Sequence, residues 1–283
     1  MMKMLPFKKL FTALAFAGAV MASPVSYADA VINPSFNVGL NTIQDSNADR
    51  ILRNTNGTWN VVDNGAFQNG DVLQSILRFD TVNSAAINGA VGTLNYGLWA
   101  YSELAITLGN AISGGYEVSF SAANILSASG VMVELYEAAA GTNFLGQAPD
   151  TGIASVRSLT KVGEFGFGEA DDFWVASIPT NIQDLNRPLG SGQFPAGVLG
   201  LSVLTNAGNL PIAVNGIAGA DGNQHDVVGD ISTFPRETGV NAAWLVSSNT
   251  NISFNRSVPE PSSLALLGMA VLLGGMAQRR RSV

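Results

Sequence analysis

The residue types that do chemistry fall here into three oxygen-rich clusters, one histidine and four tryptophans. Asp45-x-Asn47-x-Asp49 alternates oxygen ligands as a calcium loop of the EF-hand type does at its start. It then departs from that pattern, with Arg50 where the loop needs glycine and Asn56 where a bidentate glutamate belongs. Asp221, Asn223 and Asp226 form a second oxygen-rich loop, and Glu169, Asp171 and Asp172 a third. Calcium is the one cofactor such residues suggest; the alternative is acids decorating a solvated face. His225 lies within the second loop, where Asp221 or Asp226 is placed to orient it as a general base. No nucleophile motif accompanies it. G-x-S-x-G, H-E-x-x-H, the P-loop and the dinucleotide fingerprint are all missing. Gly166-x-Gly168 lies between strand-like runs with no helix after it, which is hairpin chemistry. Trp59, Trp99, Trp174 and Trp244 suit sugar rings if exposed, and a β core if not.

Composition narrows these options. Among 283 residues there is no cysteine, which excludes a disulfide framework, a thiolate metal site and a cysteine nucleophile. A net charge of −7 argues against nucleic acid as a partner, because phosphate needs a basic face.

The elements that must position these residues are strands. Leu104, Ile106 and Leu108 alternate with polar or small neighbours, as do Tyr116, Val118 and Phe120, and Val131, Val133 and Leu135. Similar runs are Val72–Phe79, Lys161–Phe167, Phe173–Ile178, Val198–Leu204 and Asn251–Asn255. Period 2 with turn residues between predicts antiparallel β. Asparagine and glycine together exceed a fifth of residues 31–257, and both favour turns over helix interiors. The expectation is one all-β domain, a β-sandwich or jelly roll. A helix over Asn95–Leu108 is the local alternative.

The two ends read as addresses. Lys3, Lys8 and Lys9 precede the apolar run Leu10–Met21, and small-residue cleavage patterns follow at Ser26-Tyr27-Ala28 and Ala28-Asp29-Ala30. Residues 1–30 are thus expected to be a secretory signal peptide, handled by the general secretion machinery. At the other end Val258-Pro259-Glu260-Pro261 leads into an apolar run to Ala277, followed by Arg279-Arg280-Arg281. As a helix, Ser262–Ala277 would reach ~24 Å, short of a hydrocarbon core of about 30 Å. Positive charge prefers the cytoplasm, so both ends sit inside and residues 31–257 outside. That body carries eight basic and nineteen acidic residues, a net charge of −11.

The tail (residues 258–283) resembles the PEP-CTERM sorting signal of Gram-negative bacteria in motif, spacer, apolar run and basic end. The resemblance implies recognition of Val258, Pro259, Glu260 and Pro261 by an exosortase, a membrane-embedded cysteine enzyme that removes the tail. It implies passage to the cell surface or extracellular matrix, where exopolysaccharide is made. Gly70–Leu73, Tyr101–Leu104 and Asp171–Val175 are similar to stretches of floc-associated PEP-CTERM proteins. The resulting expectation is a non-enzymatic surface or matrix protein, associated with exopolysaccharide. A carbohydrate-binding module and a polysaccharide hydrolase with paired carboxylates are the alternatives.

Overall fold

The computed structural model describes residues 39–62, 67–87, 96–112, 115–139, 141–179, 196–234, 244 and 247–256. The expected signal peptide, the sorting motif Val258–Pro261 and Arg279–Arg281 lie outside the described residues. Among those described, no helix is long and apolar enough to cross a membrane.

The chain is all-β. In order it forms β1 (Leu40–Thr55), β2 (Thr58–Val62), β3 (Val72–Val82), β4 (Ala85–Ala86), β5 (Tyr96–Ile112), β6 (Gly115–Ala122) and β7 (Val131–Ala139). After a helix, α1 (Pro149–Arg157), come β8 (Thr160–Gly166), β9 (Phe173–Pro179), β10 (Ala196–Thr205), β11 (Ile217–Ala218), β12 (Gln224–His225), β13 (Val227–Phe234) and β14 (Ser247–Asn255). The alternating runs picked out in the sequence lie in these strands, except that Lys161–Phe167 runs one residue past the end of β8. The helix alternative over Asn95–Leu108 is wrong: Tyr96–Leu108 lie in β5, both faces of which are buried from Gly97 to Leu104, so its apolar content does not alternate cleanly there.

Two facing sheets were expected; instead twelve strands form one continuous sheet that closes on itself. Starting from β5, the circuit runs β3, β1, β14, β13 and β10. Between β10 and β5 the wall is shared lengthwise by two strand pairs. Ser202–Thr205 of β10 pair with β8, and Ala196–Gly200 with β9. Tyr96–Ser102 of β5 pair with β7, and Leu104–Ile112 with β6. Either path completes eight antiparallel strands, a number whose interior side chains just fill. Closure also removes most sheet edges.

The interior is apolar over most of its length. Leu77, Leu98, Leu135, Phe165, Leu199 and Phe254 belong to one buried cluster. They surround a cavity of about 50 Å³ whose wall has Thr250 as its one polar residue. The outer face is polar along β14, β1 and β3: Thr42 bonds Ser253 at 3.0 Å, Ser46 donates to Asp80 at 2.6 Å, and Asn251 to Asp230 at 2.9 Å.

A second layer covers part of that outer face. Pro149 opens α1, where a missing N–H costs nothing, and Arg157 in the last turn complements the helix dipole. The helix buries Ile153 and Val156 against Ile76, Trp99, Tyr101 and Tyr136 of the sheet. Trp99 meets Phe144 at a ring distance of 4.8 Å, and the Trp244 indole donates to the Gln147 carbonyl at 2.8 Å.

Candidate functional site

The calcium motif does not lie in a loop. Asp45, Asn47 and Asp49 are alternate residues of β1, so all three point into the barrel, between the inward-facing Ile43 and Ile51. β1 leaves β14 after Gln44, and the side chains fill the gap. Asp45 accepts from the Thr250 N–H at 2.6 Å, and the Asn47 amide donates to the Thr250 hydroxyl at 3.2 Å. Among the described residues no three His, Asp or Glu side chains gather as a metal site. The spacing that resembled a calcium loop is a strand's inward row.

Burial, with the charges of Asp49 and Asp80 added, pushes the Asp45 carboxyl well above the ordinary range, against the opposing Thr250 hydrogen bond. The unfolded chain ionises this group near pH ~4, while the folded chain keeps its proton longer. Folded protein therefore binds more protons above that pH, and stability contributed by the neutral form is lost as pH rises towards the folded value. Asp45→Asn should remove this loss while keeping the Thr250 bond. Denaturant titrations from pH 4 to 7.5 should show the variant gaining on the wild type as pH rises. Parallel profiles would refute the assignment.

The outer face under α1 holds a network that the sequence analysis missed. Register places Arg50, Gln74 and Glu103 side by side across β1, β3 and β5. Arg50 donates to Gln74 at 2.9 Å, and Gln74 to the Tyr101 hydroxyl at 2.8 Å. Tyr101 donates to Glu103 at 2.5 Å, and the Ile125 and Leu126 N–H groups donate to the same carboxylate. Next to it Glu134 accepts from Tyr136 at 2.6 Å, Arg157 at 3.1 Å and Lys161 at 3.2 Å. The Arg157 guanidinium also lies 5.2 Å from the Tyr101 ring centre. Burial first, then the adjacent carboxylate, raises both tyrosine hydroxyls, so they stay protonated as donors. The sequence signal was there: Tyr101-x-Glu103 and Glu134-x-Tyr136 put the same pair at alternate positions of apolar strands.

The second and third acidic loops, some fifty residues apart, meet at His225. Its ring is almost wholly buried, with Nε2 3.1 Å from Asp221 and Nδ1 3.5 Å from Asp172. Phe173 presents an edge contact at 5.3 Å. Gly200 and Gly219 make room for the ring, since a Cβ on either would come within 2.6 Å of it. Asp172 accepts from the Gly168 and Glu169 N–H groups and the Ser202 hydroxyl at 2.6–2.8 Å. Asp226 accepts from the Val203 and Asn215 N–H groups. Partial desolvation raises the Asp221 carboxyl, but hydrogen bonds from His225 and Asn223 outweigh it and hold the group below the ordinary range. The two carboxylates flank opposite ring nitrogens, so one metal ion would not reach both. Ser202 bonds Asp172 rather than the imidazole, so among the described residues no Ser–His relay forms. The arrangement clasps a long loop to the barrel.

The tryptophans separate. Trp174 faces the barrel interior, while Trp99 and Trp244 are buried beneath the outer layer. The four therefore make no common platform. Trp59, 36% exposed on β2, is the one that meets solvent.

Residues 257–281 match the family model of the PEP-CTERM protein-sorting motif. No curated protein and no solved structure matches the chain. The motif marks an exported protein that an exosortase processes.

Proposed function

From the PEP-CTERM sorting motif that this chain carries at its C-terminal end, we propose that residues 31–257 are a non-enzymatic component of the cell surface or matrix, associated there with exopolysaccharide. The observation that carries the reading is this motif, attached to an acidic β body. The body's buried chemistry is internal. Glu103, Glu134, Asp172, Asp226 and His225 each have under a tenth of their surface exposed, or hold neighbouring loops through their carboxylates. A glycoside hydrolase needs two carboxylates facing one open cleft about 5–9 Å apart, and Glu103 and Glu134 are instead buried, Glu103 against the Leu126 backbone and Glu134 against Arg157 of α1. Exposure of Trp59 favours a second reading, a module that holds sugar by stacking.

The test is fractionation of an exosortase-bearing host. The protein should travel with the matrix polysaccharide, and glycanase treatment should release it. Incubating purified protein with that polysaccharide should liberate no reducing ends. Liberation of reducing ends would replace the reading with the hydrolase. Free protein in the medium, absent from the matrix, would remove the association.

A further inference from the structure

The tip of the β1–β2 hairpin, residues 54–61, is tight, exposed and without a charged side chain, and Arg53, opposite Asn60, is held by Asp71 at 2.7 Å. Thr55 pairs with Thr58 around the two-residue turn Asn56-Gly57, both at positive φ (53° and 85°), the type I′ geometry that Asn-Gly favours. Asn54 Oδ1 accepts from the Gly57 N–H at 2.8 Å and stiffens the turn. In such a hairpin the pair flanking the turn is hydrogen-bonded, and pairs alternate from there. Arg53↔Asn60 is therefore bonded across the hairpin, while the N–H and C=O groups of Trp59 and Val61 point away from β1. Among the described residues β2 pairs with β1 alone. The side chains of Trp59 (36% exposed) and Val61 (50%) lie together on one face.

We propose that β2 is a self-association edge, and that its partner is β2 of a second copy of this chain in antiparallel register about Asn60. That register is self-complementary. Trp59 of each copy faces Val61 of the other as a hydrogen-bonded pair, so all the outward backbone groups of both residues are used. Aromatic and β-branched side chains are then opposed on one face, a favourable cross-strand pairing. Asn60 faces its own copy as the central non-bonded pair, and the two-fold axis closes the contact as a dimer. Charge points to the same partner surface. In a body of net charge −11, Asn54–Val62 carries no Asp, Glu, Lys or Arg, so two copies approach here with least repulsion. Natural sheets protect edges with charge, proline or a bulge, and β2 has none of these. A five-residue edge buries little area, so the dimer is weak in solution and gains from crowding at a surface.

Because the chain has no cysteine, Asn60→Cys creates one thiol, placed on the two-fold axis. Directly opposed non-bonded positions have Cβ atoms about 4.5–5.5 Å apart, within reach of a disulfide after slight adjustment. Exported protein carrying Asn60→Cys should oxidise to a covalent dimer at least about tenfold faster than protein carrying Gln44→Cys, a control on the exposed face of β1. Adding Val61→Lys should return the rate to the control. Sedimentation of wild-type protein up to about 1 mM should show reversible dimers that strengthen with salt, as screening lowers repulsion. Equal oxidation of the two thiols, indifference to Val61→Lys, monomers throughout, or dimers that weaken with salt would each overturn the proposal. The measurement is made on purified protein and does not depend on matrix association.

Discussion

Glu260→Ala is expected to leave an uncut, membrane-held precursor, while wild-type protein in an exosortase-bearing host reaches the surface without Arg279–Arg281 and ends near Ser257–Pro261. The effect is all or none, because the motif is a substrate and not a stabilising element. By sequence, prolines at 259 and 261 disfavour helix around Glu260 and favour the extended backbone that a protease reaches. Below it, the apolar run is too short to rest comfortably in a bilayer. Gly268, Gly274 and Gly275 each weaken a helix there by roughly 0.5–1 kcal/mol relative to alanine. Mass spectrometry of surface protein decides the matter. A wild-type C-terminus at Val283 would refute processing, and normal surface delivery of the variant would refute the role of Glu260.

The largest loss of stability from a single polar side chain is expected at Glu103. Its carboxylate is fully buried and accepts from Tyr101, Ile125 and Leu126, joining β5 to the loop before β7. Glu103→Ala strands the buried Tyr101 hydroxyl as a donor, at about 1–3 kcal/mol, and also releases the part-buried Ile125 and Leu126 N–H groups from the sheet. Relaxation recovers part of this, so the net loss should be about 3 kcal/mol, or roughly 6–12 °C in Tm for a domain of this size. Glu117→Ala, on the exposed side of β6, should change stability by less than ~0.5 kcal/mol. Tyr101→Phe should cost about 1 kcal/mol alone and add less in the Glu103→Ala background, since both remove one shared bond. Additive losses would show that the Tyr101–Glu103 contact is not the source. Equal effects at Glu103 and Glu117 would remove the argument for the network.

Strand content was legible because alternation is local. Val72–Phe79, Val131–Leu135 and Val198–Leu204 each show period 2 without reference to any other part of the chain, and each is a strand. β1 was not legible for the same reason in reverse. Its inward row between Ile43 and Ile51 is Asp45, Asn47 and Asp49, polar where a strand of a barrel is usually apolar. Thr250 of β14, as donor to Asp45 and acceptor from Asn47, makes those two tolerable inside. The Asn56-Gly57 turn was passed over, with Asn56 weighed only as a calcium-loop position, and the exposure of Trp59 was not legible because burial of a tryptophan depends on what lies opposite.

The sorting motif and its residues were determined by sequence alone. The motif is a linear pattern, matched over residues 257–281 without reference to the rest of the chain. All-β class and the low helix content likewise follow from local propensity, since turn residues and period-2 runs act over a few positions. Tertiary structure decided the rest. Whether strands divide into two sheets or close into one depends on which partners β5 and β10 take along each half of their length, a non-local choice that alternation does not record. The meeting of two distant acidic loops at His225, and the burial of three tryptophans out of four, arise the same way: residues far apart in the chain become neighbours only when the sheet closes.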